Sequence, residues 1–172
     1  RASRTFPQYL IFKPSMIITA VLLCLYWYKN NILINHFKNT EFKKNSFMLF
    51  GILSAIFLLI HSILLGLETD IKVFKLLRRV VLVSFIVFEI VAQSLLVVSF
   101  YRLKTKLKNY CNSNILKLKI LLVSILIFIS ILSIPFLIMA GNVHYKHGLE
   151  WNFFIGVILF YLLTRFFWKK NF

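Results

Sequence analysis

Acidic residues are scarce in this chain: Asp and Glu number 5 among 172 residues, against 21 Lys and Arg. So few carboxylates give little support to a relay of proton-carrying sites through a membrane, which needs several ionisable groups in series, and leave transport with little to carry it. Cysteine is nearly missing too, with 2 in the chain, which excludes a disulfide scaffold. Cys24 lies in an apolar run and Cys111 in a lysine-rich stretch, so the two are expected at different depths. A bridge needs Cα atoms within about 7 Å. Nor does the chain contain a Walker motif, a Rossmann glycine fingerprint, a GxSxG elbow, a CxxC pair or an HExxH helix.

Apolar residues fill the space these leave. They make up 60% of the chain, charged residues only 15%, and the mean hydropathy is +0.83. Soluble domains run nearer ~45–50% apolar and ~25% charged. A domain of about 150 residues still exposes roughly 30% of its chain surface, so this composition cannot be hidden in one soluble core. The chain reads as an integral membrane protein. Its net charge of +16 would suggest nucleic acid in a soluble protein. Here the basic residues sit between long apolar runs, where cytoplasmic loops concentrate them, and no nucleic-acid partner is expected.

A membrane helix needs about 20 mainly apolar residues. Five stretches qualify, at about 15–34, 47–67, 80–101, 120–140 and 149–168, the first interrupted by Asn30 and Asn31. They predict an all-α, polytopic transmembrane bundle forming a single integral-membrane domain over 1–172. Short connections should pack sequence neighbours antiparallel. Continuous rather than alternating runs exclude a β-barrel.

Basic residues set the orientation. The N-terminal segment, the connection carrying Lys72, Lys75, Arg78 and Arg79, and the one carrying Lys146 share one side and hold eight. The other side holds thirteen: Lys29, Lys38, Lys43, Lys44, Arg102, Lys104, Lys106, Lys108, Lys117, Lys119, Arg165, Lys169 and Lys170. The richer side should be cytoplasmic, which puts the C-terminus inside and Arg1 outside. A start outside, with no signal peptide in view, leads us to expect a further helix before Arg1, six in the complete chain. Arg102, Lys104, Lys106, Lys108, Lys169 and Lys170 would then face anionic lipid headgroups.

Polar groups within the apolar runs carry the remaining information, because they are costly there. In the second stretch Gly51, Ser54, Ala55, His61, Ser62 and Gly66 recur at three, four and seven, which places them on one stripe. In the third, Glu89, Ala92 and Gln93 share a face. Glu89 is too deep to snorkel and should be buried, protonated or paired. Pro135, with Ser130 and Ser133, predicts a kink in the fourth stretch. The fifth opens with His144, His147, Glu150 and Trp151. Trp27, Trp151 and Trp168 read as an aromatic belt. With the charge-derived orientation, His61, Glu89, Pro135, His144, His147 and Glu150 all fall toward the extracytoplasmic half.

Three accounts fit that asymmetry. Ser54, His61, Glu89, Gln93 and Glu150 could be an interhelical hydrogen-bond cluster, worth a few tenths to about 2 kcal/mol per contact. They could line an outward-facing polar pocket for a lipid headgroup or amphiphile. Or His61, His144 and His147, with an acid, could hold zinc in a membrane-embedded lipid hydrolase, a site that needs three or four ligands; otherwise no cofactor is expected. The leading expectation is a non-enzymatic, lipid-interacting or membrane-organising protein. A small accessory subunit of a larger membrane complex is the alternative, since lipid tails and a partner's side chains are equally apolar.

The stretches FPQYLIF (6–12), FEIVAQ (88–93) and GLEW (148–151) resemble the FRAG/DRAM family of six-helix membrane proteins, the damage-regulated autophagy modulators and their CWH-type and GPI-anchor-remodelling relatives. Pro7 stands for that family's loop proline, Gln93 for a glutamine of its fourth helix and Glu150–Trp151 for the acidic–aromatic pair opening its last helix; Gln8 stands where an acid is expected. The resemblance covers nearly the whole chain, with the family's first helix preceding Arg1. It implies cytoplasmic termini and a role in lipid handling or membrane organisation, and no catalytic residues. The Ile, Leu, Lys, Asn and Phe usage is that of AT-rich coding and favours a bacterial inner membrane over a eukaryotic endomembrane.

Overall fold

Inside a bilayer each backbone N–H and C=O must find a partner within the chain, so long apolar runs become helices. The computed structural model describes residues 7–38, 45–65, 72–138 and 143–169. Its helices are α1 (Gln8–Lys38), α2 (Ser46–Leu64), α3 (Lys72–Arg102), the single turn α4 (Lys104–Leu107), α5 (Ser113–Ile138) and α6 (Val143–Phe167). Among the described residues the only β pairing is an isolated antiparallel bridge between Cys111 and Trp168.

Among the described residues four stretches are long and apolar enough to cross a membrane: Leu10–Lys38, Ser46–Leu64, Leu76–Arg102 and Ser113–Leu132. Together with the helical content they make this an all-α integral membrane protein. The fifth stretch expected from the sequence corresponds to α6, whose apolar part, Trp151–Phe167, is shorter and near the lower limit of roughly 17–25 residues for a span.

Every long helix except α2 overruns its apolar run. α1 starts at Gln8 rather than at residue 15 and contains Pro14; α3 starts at Lys72 rather than 80, and α5 at Ser113 rather than 120. Apolarity marks where a helix meets lipid, whereas Lys and Arg are good helix formers and carry it onward. Pro14 removes the N–H that would bond Leu10 O, a loss membrane helices tolerate. Nearby, Ser15 Oγ donates to Ile11 O at 2.7 Å and Thr19 Oγ1 to Ser15 O at 2.8 Å. α5 likewise continues past Pro135 to Ile138.

The chain forms two compact units, Arg1–Ala92 and Gln93–Phe172, with the boundary inside α3. In the first, α1 lays Ala20, Leu23, Trp27, Asn31 and Ile34 on one buried stripe. Gly51 of α2 admits Trp27: a Cβ built there would clash with the indole ring packed against it. Phe47 closes the contact at 6.4 Å between ring centroids. Trp27 therefore has no exposed surface and is a core residue, not part of an aromatic belt. Phe88 of α3 stacks on Phe50 and Phe57 of α2, at 5.9 and 5.4 Å.

Asn30 and Asn31, expected to interrupt the first helix, are buried within it. Asn30 Nδ2 donates to Tyr26 O at 2.8 Å. Asn45, just before α2, gives its backbone N–H to Asn31 Oδ1 at 3.0 Å and its side-chain amide to Asn31 Oδ1 and Asn35 Oδ1 at 2.8 and 2.9 Å. Lys38 Nζ donates to Asn45 Oδ1 at 2.9 Å. The asparagines thus clamp the end of α1 to the start of α2.

In the second unit, Gly156 of α6 lets Leu126 of α5 press against its backbone. Buried Leu116, Lys119, Val123 and Leu126 form the facing stripe of α5, and Phe153, Val157 and Phe160 that of α6. After α3, the chain turns at Leu103 and returns along the end of α6. Asn112 N donates to Phe167 O at 2.9 Å and Lys169 N to Tyr110 O at 3.0 Å. Phe100 and Phe167 meet at 4.9 Å.

Candidate functional site

Of the expected polar cluster, the structure brings together Ser54 and Glu89. Each sits on the buried stripe of its helix and has no exposed surface. Ser54 Oγ lies 2.6 Å from Glu89 Oε2 and 2.8 Å from Gly51 O. A serine hydroxyl carries one proton. Both contacts are fully made when Glu89 holds a proton and donates it to Ser54 Oγ, leaving the serine proton for Gly51 O.

His61 is buried on the same face of α2, and Gln93 is buried on α3 one turn beyond Glu89. The side chains of Glu150, His144, His147, Ser133 and Pro135 lie outside the described residues. Among the described residues no three His, Cys, Asp or Glu side chains converge. Trp151 is 70% exposed, as an interfacial tryptophan would be. Ser54–Glu89 is a packed contact between α2 and α3. Neither of the two cavities described below includes Ser54, His61, Glu89 or Gln93.

A small cleft of about 180 Å³ lies along Met48, Leu49, Ile52 and Leu53 on α2. It carries no polar side chain. The larger cavity, about 340 Å³, lies in the second unit, where α3 gives way to α4 and α5 beside the end of α6. Phe100, Leu107, Leu116 and Phe167 supply its apolar walls; Lys104 and Lys108 reach it from α4 and the turn after it. α4 alternates by helical geometry: Leu103 and Leu107 are buried, while Lys104, Lys106 and Lys108 are exposed. Arg102 and Lys169 are exposed at the same end, and Lys169 Nζ donates to Lys108 O at 3.2 Å. Lys170 lies outside the described residues. Between Tyr101 and Lys119 the sequence has six basic residues and no acid.

Lys119 is not the loop cation the sequence suggests. It occupies the buried stripe of α5, with no exposed surface, and its Nζ donates to Thr164 Oγ1 of α6 at 2.6 Å. The rings of Phe160 and Phe167 cover it at 4.2 and 5.3 Å from their centroids. Cys111 is also buried, with a free thiol. Burial pushes that thiol up to about 11, against the opposing pull of Lys169 and Lys119.

Sequence reasoning found the lysines but neither the cavity nor Lys119. The signal for Lys119 was its spacing, three after Leu116 and four before Val123, a stripe that cannot be singled out where all faces of a helix are apolar. No family model, curated protein or solved structure matches the chain.

Proposed function

We propose that this integral membrane protein interacts with lipid as its function, organising anionic headgroups at the lysine-rich end of its helices. The observation that carries this reading is the exposed basic group of Arg102, Lys104, Lys106, Lys108 and Lys169, gathered at one end of α3, α5 and α6 with no acid in the 101–119 segment. A basic residue near an anionic leaflet contributes about 1 kcal/mol, so five acting together favour such a surface strongly at low salt. The resemblance of FPQYLIF, FEIVAQ and GLEW to the FRAG/DRAM family points the same way, and the excess of basic residues in the sequence favours a cytoplasmic position for this end by the positive-inside rule.

The test is lipid selectivity in reconstituted membranes. Spin-labelled phosphatidylglycerol and phosphatidylcholine, at equal mole fraction, report how strongly each is held at the protein surface. The expected result is preferential immobilisation of phosphatidylglycerol, weakened by salt because exposed charges are screened over about 8–10 Å. Equal immobilisation of the two lipids would overturn the reading.

A further inference from the structure

The geometry points to the 340 Å³ cavity between the end of α3, α4, the start of α5 and the end of α6 as a discrete binding site for one anionic phospholipid, its phosphate held by Lys104 and Lys108 and part of an acyl chain lying between Phe100, Leu107, Leu116 and Phe167. This rests on the lipid interaction proposed above and narrows it from a diffuse basic surface to a single site.

Three features of the cavity select that occupant. Its volume is at the low end of the roughly 300–1,000 Å³ of small-molecule sites, enough for a portion of a chain and not for a folded partner. Its walls join the apolar Phe100, Leu107, Leu116 and Phe167 to the polar Thr105, Asn112 and Ser113, so an inorganic anion would leave the apolar part unfilled, whereas a headgroup carrying a hydrocarbon chain matches both. Its two charged lining residues are both lysines, and no acid lines it. Basic pockets between transmembrane helices on the cytoplasmic side are a recurrent setting for anionic headgroups.

Lys29 and Lys117 supply the control, because both are exposed, neither lines the cavity and neither belongs to the basic group named above. The full chain is delipidated in mild detergent and titrated with phosphatidylglycerol, phosphatidylcholine of matched chains, and sodium phosphate, with native mass spectrometry counting what stays bound. Four proteins are compared: wild type, Leu116→Trp to fill the cavity, Lys104→Gln/Lys108→Gln, and Lys29→Gln/Lys117→Gln. The site predicts one tightly held phosphatidylglycerol in wild type. Leu116→Trp and the Lys104/Lys108 pair should weaken it about tenfold or more, and the Lys29/Lys117 pair by less than about twofold. Phosphate should not displace it.

If both lysine pairs weaken binding equally and Leu116→Trp binds as wild type does, the cavity is not the site, while the broader lipid reading stands. If wild type holds phosphatidylglycerol no better than phosphatidylcholine, both fall. Displacement by phosphate at lipid-equivalent concentration would make this an anion site and overturn the lipid assignment. So would a stoichiometric protein chain that Leu116→Trp releases. Should Leu116→Trp fail to fold, the contrast between the two lysine pairs decides alone.

Discussion

Lys119 Nζ lies 2.6 Å from Thr164 Oγ1, so the one basic side chain on the buried face of α5 is anchored to a hydroxyl of α6. Thr164 in turn donates to Phe160 O at 3.1 Å, its own helix one turn back. The amino group, the hydroxyl and the carbonyl form a short chain, with Phe160 and Phe167 laid over the nitrogen. Contact of a desolvated cation with a ring face is worth about 2 kcal/mol. The rest of the interface is apolar, so each member of this chain depends on the next.

Thr164→Val keeps the shape of residue 164 and removes the acceptor. It should cost about 1–3 kcal/mol, because a buried donor loses its partner. Lys119→Met keeps much of the length and removes the donor. Combined with Thr164→Val it should restore most of the loss, since two apolar groups of the same shape replace two polar ones. Melting in detergent of the four proteins of this cycle checks it; additive losses would mean the two residues are not coupled.

The helical class, the five long helices (not the single turn α4) and the polar faces of α2 and α3 were legible because a minority of small and polar residues stands out against an apolar background. Gly51, Ser54, Ala55, His61 and Ser62 are all buried, as their spacing indicates, and so are Glu89, Ala92 and Gln93, while Gly66 of the same expected stripe lies outside the described residues. Helix ends were not legible, since hydropathy reports lipid contact rather than helical geometry. The burial of Trp27 was hidden for another reason. Its partner, Gly51, is distant in sequence, and only the absence of a Cβ there lets the indole in. The cavity depends on how α3, α4, α5 and α6 meet, which no pattern within a single helix encodes.

Glu89 and Ser54 should respond to substitution by hydrogen-bonding capacity, not by charge. Glu89→Gln keeps a donor toward Ser54 Oγ and should stay within about 1 kcal/mol of wild type. Glu89→Leu removes it, orphans a buried hydroxyl contact and should cost about 1–3 kcal/mol. Thermal melts of the purified chain in detergent test this. Equal stability of all three proteins would count against a working contact between α2 and α3.

Asn45 offers a sharper distinction. It stands at the N-cap of α2 without a side-chain bond to that helix, and spends its amide on Asn31 and Asn35 instead. Asn45→Asp is favourable at an N-cap in isolation and keeps the exposed bond from Lys38 Nζ, yet it removes both amide donors and sets a carboxylate against two buried carbonyl oxygens. It should therefore destabilise by about 1–3 kcal/mol, as Asn45→Ala should. An Asn45→Asp protein as stable as wild type would show that capping, not the clamp, sets the stability of this hairpin.

Cys111 links stability to alkaline pH with a definite sign. Its ordinary value is 9.0, and burial raises it to about 11 in the folded chain, with Lys169 and then Lys119 opposing the rise. The folded state thus holds this proton more tightly than the unfolded one. The resulting stabilisation is intact below pH 9 and is lost as pH rises through about 11, because stability falls wherever the unfolded state binds fewer protons. Cys111→Ser should remove that alkaline loss while leaving the melt at pH 7 nearly unchanged. Maleimide labelling offers a second readout, since only the thiolate attacks. Cys111 should label slowly at pH 8 and faster with each step upward, and Lys169→Gln should slow it further by removing the main group that favours the thiolate. Labelling of Cys111 at pH 8 as fast as that of an exposed thiol would contradict the buried, protonated state that the end of α6 imposes on it.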